Sequence, residues 1–226
     1  MRLHADAVHI WRADLDGIGD QPVGLLPESE LARAKRIVSD RAQRRWMAAR
    51  GVLRALLGGY LDEDPVALRF AVGEHGKPRL DPRRRKPLHF NLSHSGGLAL
   101  YAVTEMCEVG VDVERSERPL DELALAERIF GAAAVERLRT LDPRSRRVEF
   151  LRAWVRHEAD VKRTGAGIAE DGSHPEGHTQ RARGRQSVGM TPWIAELDAG
   201  PGTFAAVALA RAPQELSCLE WPAQAL

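Results

Sequence analysis

The chain has 226 residues, 43% apolar and 29% charged, so it can bury a core of its own without disulfides or metal and is not disordered by composition. Its 33 basic and 32 acidic residues leave a formal net charge of +1, which argues against a protein built mainly to coat nucleic acid or an anionic membrane. No apolar run approaches a membrane span, the N-terminus lacks a signal peptide's apolar stretch, and Cys107 and Cys218 form no CxxC pair or disulfide framework, so the chain reads as cytoplasmic.

In chain order, AVHIWRADL mixes β-formers and predicts a strand. Pro27 opens a helix through ESELARAKRIV, with acids in its first turn and bases in its last. Asp40 is expected to cap a longer helix whose Trp46, Ala49, Leu53, Leu56, Leu57 and Tyr60 recur at helical spacing, with Gly58-Gly59 weakening its end. Leu68, Phe70 and Val72 alternate as a half-buried strand. The turn-rich GEHGKPRLDPRRRKP follows, and then the strand-like runs LHFNLSHS, LALYAVT and EVGVDVE. One helical stretch is expected from about residue 120 to 140. A second begins with Asp142 as N-cap and Pro143 at the first helical position, and it ends at Gly165 as C-cap. Residues 165–190 read as a long surface loop, and TPWIAEL and TFAAVALA close the chain as strands. Neighbouring strands mixed with helices make the fold class α+β rather than a doubly wound parallel sheet.

Three constellations can carry chemistry. In Val109-Gly110-Val111-Asp112-Val113-Glu114 the valines share one strand face while Asp112 and Glu114 share the other, where two carboxylates can converge on a cation; the plainer reading is a wet outer face. Trp154, Glu158 and Lys162 stack along one helix face at i, i+4 and i+8. A carboxylate one turn before an ammonium is an ordinary helix pair. Yet only Lys35, Lys77, Lys86 and Lys162 are lysines in a chain that otherwise uses arginine, which points to a demand for a compact charge such as a phosphate makes. The third is Phe90-Asn91-Leu92-Ser93-His94-Ser95, preceded by Gly76-Lys77-Pro78; it does not match a GxSxG nucleophile elbow. The Arg83–Lys86 run reads as a solvated turn, and His174 with His178 lacks the partner ligands of a metal site.

Together these motifs resemble the Sfp-type 4′-phosphopantetheinyl transferase family. The order is a basic helix with RxxxAR-like spacing from Arg45 to Arg50, then GKP, FNLSHS, VGVDVE and WxxxExxxK, over roughly residues 25–168. The resemblance implies two similar lobes, 1–104 and 105–226, related by a pseudo-twofold with the active site in the cleft between them. It implies Mg²⁺-dependent transfer of the 4′-phosphopantetheine arm from coenzyme A to a serine of an apo acyl or peptidyl carrier protein, releasing adenosine 3′,5′-bisphosphate. By motif position Asp112, Glu114 and Glu158 would be metal ligands, with Asp112, Glu158 and Lys162 catalytic. Lys162 would also contact the coenzyme A phosphates. Lys77, Pro78, Ser93 and His94 would line the nucleotide site, with His94 near the 3′-phosphate and Arg45 and either Arg33 or Arg36 adding positive charge there. His157 stands where the family commonly has lysine, and we read it as peripheral. The length implies a monomer serving polyketide or nonribosomal peptide carriers. Two rivals remain: the same reaction on the fatty-acid synthase carrier, and a non-catalytic Arg-rich nucleic-acid-binding module.

Overall fold

The computed structural model describes residues 1–72, 77–81, 87–165 and 191–222. The Arg83–Lys86 run, His174, His178 and nearly all of the expected 165–190 loop lie outside them. The elements are β1 (Ala7–Asp14), α1 (Glu28–Ala34), α2 (Asp40–Leu61), β2 (Phe70–Val72), β3 (Pro78–Leu80), β4 (His89–Ser95), β5 (Leu98–Thr104), β6 (Val109–Arg115), α3 (Glu122–Phe130), α4 (Ala132–Arg139), α5 (Pro143–Thr164), β7 (Trp193–Leu197), β8 (Thr203–Leu209) and β9 (Glu215–Glu220). They form one sheet in the order β4-β5-β1-β9, a second in the order β6-β8-β7, and a small β2-β3 pair.

Local chemistry accounts for the long helices. Ser39, not Asp40, caps α2, because its side chain accepts the Ala42 N–H and Asp40 is already helical. The helix runs through Gly58 and Gly59 and stops at Asp62, which takes the left-handed conformation at φ 55°. Asp142 accepts from the Arg144 and Ser145 N–H groups at the start of α5, and Gly165 ends it at φ 74°, both as expected. The single stretch expected over 120–140 is two helices. Gly131 (φ 81°) is the C-cap of α3 and the N-cap of α4, a break that only glycine makes at low cost.

Packing produces four layers. Leu53, Leu56 and Leu57 of α2 are fully buried against Phe90, Leu92, Tyr101 and Val103 of the first sheet, each worth roughly 1.5–3 kcal/mol. The sheet's other face, with Ile10, Leu98 and Leu100, meets Val109, Val111, Val113 and Val207 of the second sheet. Beyond that, Val155 and Ala159 of α5 pack on Ala206 and Ala208. Strand β6 is therefore covered on both faces, so the wet outer face weighed for Asp112 and Glu114 does not exist. Strand β9 was not expected. It leaves the C-terminal half and pairs in parallel with β1, with Ile10 opposite Cys218, so the first sheet draws on both ends of the chain.

Candidate active site

The site begins at Gly110, which shares a face of β6 with Asp112 and Glu114. A Cβ there would lie 2.0 Å from Ala159 O and 2.3 Å from Arg163 N, so strand and helix backbones touch. That approach brings Lys162, three residues beyond Ala159, onto Asp112. Its ammonium donates to Asp112 Oδ1 and to Ser93 Oγ, both at 2.8 Å. Ser93 in turn donates to Asp112 Oδ1 at 2.9 Å, and Ser95 donates to Glu114 Oε2 at 2.9 Å. Arg118 bonds the other oxygen of Glu114. Asp112 is only 4% exposed, and its Oδ2 is buried with no hydrogen-bond partner.

Charge is unbalanced here. Burial, reinforced by the nearby Asp112 and Glu114 carboxylates, pushes Glu158 up to about 7 against the opposing pull of Lys162 and Arg118. Burial also raises Glu114, with Asp112 adding to it and Arg118 opposing. Among the described residues no three carboxylate, histidine or cysteine side chains stand as a ready-made metal cage. Lys162 and Arg118 sit on carboxylate oxygens instead. The donor chemistry nevertheless fits a hard divalent cation. The candidates are all carboxylates, they repel one another, and the buried Asp112 Oδ2 lacks the partner such an atom needs.

The other expected residues separate into two groups. Arg45 makes a bidentate pair with Asp16 at 2.8 and 2.6 Å, joined by Arg41 at 3.1 Å. The Arg45 hydrogen bond holds the Asp16 carboxyl well below its usual range. Burial lowers the pKa of His94, and the charges of Lys162 and then Arg45 act in the same direction, so both cations bear on this imidazole. Lys77 lies elsewhere. It is 7% exposed, and its ammonium donates to Glu108 Oε2 at 2.6 Å and to the carbonyls of Val109 and Arg163 at 3.0 Å each. It ties the start of β6 to the end of α5, while Pro78 begins β3 opposite Val72. The Arg33 guanidinium lies 5.7 Å over the Trp46 ring, and Arg36 is exposed beyond α1; no described contact joins either to His94. His157 meets the Phe130 ring edge-on at 5.7 Å.

Sequence reasoning missed Gly110, Asn91, Ser95 and Arg118. A glycine inside a strand signals close backbone approach, and polar residues alternating at 91, 93 and 95 signal a partner for one face of β4. Neither signal names the partner.

Buried carboxylates beside a lysine at the junction of two sheets can hold a cation and stabilise charge on a phosphate group. Residues 108–199 match the 4′-phosphopantetheinyl transferase superfamily, and residues 19–106 match the N-terminal region of 4′-phosphopantetheinyl transferases. The 4′-phosphopantetheinyl transferase HetI of Nostoc sp. is 41% identical over 75% of this chain and 73% of its own. The 4′-phosphopantetheinyl transferase AcpT of Salmonella typhimurium is 32% identical over 69% and 75%. The transferase psf-1 of Bacillus pumilus is 38% identical over 44% and 41%. The chain belongs to the 4′-phosphopantetheinyl transferase superfamily and is an enzyme of that class.

Proposed function

We propose that this enzyme moves the 4′-phosphopantetheine arm of coenzyme A onto a serine of an apo acyl or peptidyl carrier protein of polyketide or nonribosomal peptide type, releasing adenosine 3′,5′-bisphosphate. The observation that carries the reading is the meeting of Asp112, Glu114 and Glu158 beside Lys162, with Asp112 Oδ2 buried and unbonded. Asp112, Glu114 and Glu158 would hold Mg²⁺, which would supply positive charge to the pyrophosphate oxygens. Lys162, pinned by Asp112 and Ser93, presents a fixed ammonium to the same oxygens. The serine oxygen attacks the phosphorus nearer the pantetheine, and the bond to the bridging oxygen of the nucleotide phosphate breaks. The serine proton needs a base, and a carboxylate of this cluster that is not spent on the cation could accept it.

Arg45 and His94 would meet the 3′-phosphate, with Arg45 exchanging Asp16 for the ligand; the support is that the Arg45 charge already bears on His94. Lys77 and Ser93, whose polar atoms are taken up by protein partners, serve the site by holding its walls. Two lobes split at 104/105 remain part of the reading. Its support is that each half sets a 22-residue helix against a sheet, although β9 returns to the first. So do a monomer and a cytoplasmic setting. Both described cysteines are free, and no described helix is long and apolar enough to cross a membrane. Against the nucleic-acid rival, Arg41 and Arg45 are engaged by Asp16, and Arg50 and Arg54 by Glu30.

The test is intact mass spectrometry after mixing the enzyme with coenzyme A, Mg²⁺ and apo-carriers of peptidyl, polyketide and fatty-acid type. One added phosphopantetheinyl arm on the first two is expected. Modification of the fatty-acid carrier alone would reassign the carrier class, and no gain on any carrier by folded enzyme would overturn the reading.

A further inference from the structure

Strand β6 pairs with β8 on one side only; its other edge faces β4, which belongs to the other sheet. There the missing strand is replaced by side chains. Asn91 Oδ1 accepts the Val111 N–H at 2.9 Å, Ser93 Oγ the Val113 N–H at 3.3 Å, and Ser95 Oγ the Arg115 N–H at 3.2 Å. All three side chains are buried, and without them the buried Val111 and Val113 N–H groups would lack a partner.

The two serines do more. A hydroxyl that accepts from the backbone still has its own proton to give. Ser93 gives it to Asp112 and Ser95 to Glu114, in each case the residue just before the N–H it accepts. The period of two on both strands repeats the arrangement. The third rung, at Asn91, falls beside Gly110, where there is no carboxylate to hold.

We infer that Ser93 and Ser95 are positioning residues of the carboxylate site. Each is anchored to the β6 backbone, fixes one oxygen of its carboxylate, and so sets where the other oxygen points; for Asp112 that other oxygen is the unbonded Oδ2. The inference rests on the reading of Asp112, Glu114 and Glu158 as cation ligands, and it assigns the serines to the protein's own carboxylates rather than to the nucleotide. Asn91, which makes the same edge contact with no carboxylate attached, is the built-in control.

The experiment titrates the purified full-length enzyme with Mn²⁺ in the presence of coenzyme A, following free Mn²⁺ by electron paramagnetic resonance. Binding of coenzyme A and of its 3′-dephospho analogue is measured separately without metal. Ser93→Ala and Ser95→Ala should each weaken Mn²⁺ about 10–100-fold, as loss of a group orienting a ligand does. Ser93→Thr should restore most of the loss, and Asn91→Ala should lower the melting temperature while leaving Mn²⁺ affinity within about threefold. Neither alanine variant should discriminate between the two nucleotides. Where an alanine variant does not fold, Ser→Cys, a far weaker donor, is read by the same criteria. Unchanged Mn²⁺ affinity in the serine variants, alongside its loss in Asp112→Asn, would overturn the inference and leave the metal site standing. An equal loss in Asn91→Ala would reduce the serines to structural rungs and overturn it too. Wild-type enzyme that binds no Mn²⁺, or Asp112→Asn that binds it normally, would overturn both readings.

Discussion

Glu158 titrates near neutrality because it is buried beside Asp112 and Glu114. Below about pH 4.5 its carboxyl is protonated in both the folded and the unfolded chain, and its contribution to stability is fully present. Between 4.5 and about 7 the unfolded chain gives up the proton while the folded one keeps it, so stability is lost as pH rises and levels off above 7. The loss is on the order of 3 kcal/mol. In the metal-free enzyme Glu158→Gln should therefore melt about 5–10 °C higher than the parent near pH 8 and equally near pH 4.5. Added Mg²⁺ should narrow that gap by raising the parent alone; a gap independent of pH would mean the carboxyl is not held in this environment. For turnover, Asp112→Ala and Glu158→Ala should each cost on the order of 10³-fold, about 4 kcal/mol of barrier. His157→Ala should cost less than about tenfold, since its ring packs on Phe130. Steady-state rates with folded variants decide it, and a loss beyond 100-fold at His157 would place that residue in the chemistry.

At the scale of elements, the contact between β6 and α5 decides whether a site exists. The Cβ of alanine at 110 would fall inside van der Waals distance of three backbone atoms, and backbone cannot rotate away as a side chain can. Gly110→Ala should cost on the order of 3 kcal/mol or prevent folding. In a variant that folds, turnover should drop further than coenzyme A binding, because Lys162 and Glu158 move off Asp112 together. Urea melts and calorimetric titration measure the two effects; a neutral Gly110→Ala would refute the close approach. Lys77 braces the same pair one residue along, through Val109 O and Arg163 O, the latter among the last carbonyls of α5. Burial lowers its pKa, and the carboxylate of Glu108 works against that. Glu108 itself is held down to about 2: burial alone would raise it, but His89 and Lys77 bond its oxygens and prevail.

On the scale of the whole molecule, two sheets back to back place the carboxylates along their seam, with α2 and α5 as outer layers. The net charge is nearly zero, yet Arg33, Lys35, Arg36 and Arg44 are all exposed between the end of α1 and the first turns of α2. Such a patch would steer an acidic carrier even when the overall charge does not. With coenzyme A saturating, kcat/KM for the carrier should fall several-fold between about 50 and 300 mM salt. Arg36→Glu with Arg44→Glu should reproduce that loss at low salt while leaving kcat within about twofold. A carrier rate indifferent to both salt and charge reversal would place the docking surface elsewhere.

Several features needed nothing beyond local sequence. The Asp142-Pro143 start and Gly165 stop of α5 are local hydrogen-bond chemistry, so their residues specify them outright. The apolar stripe of α2 and the 3.6-residue spacing of Trp154, Glu158 and Lys162 are equally intrinsic to the chain. The order of the motifs also carried the family. The partners came from the fold. Whether Asp112 and Glu114 face water or a helix depends on what covers β6, and alternation reads the same in both cases. Lys77 lies 31 residues from Glu108 and 86 from Arg163, and Ser93 lies 69 from Lys162. No periodicity spans such separations, because side chains that far apart meet only through the packing of whole elements. Strand β9 is the same case. Half-exposed and short, it becomes a strand because β1 offers it an edge, a partner nearly the whole chain away.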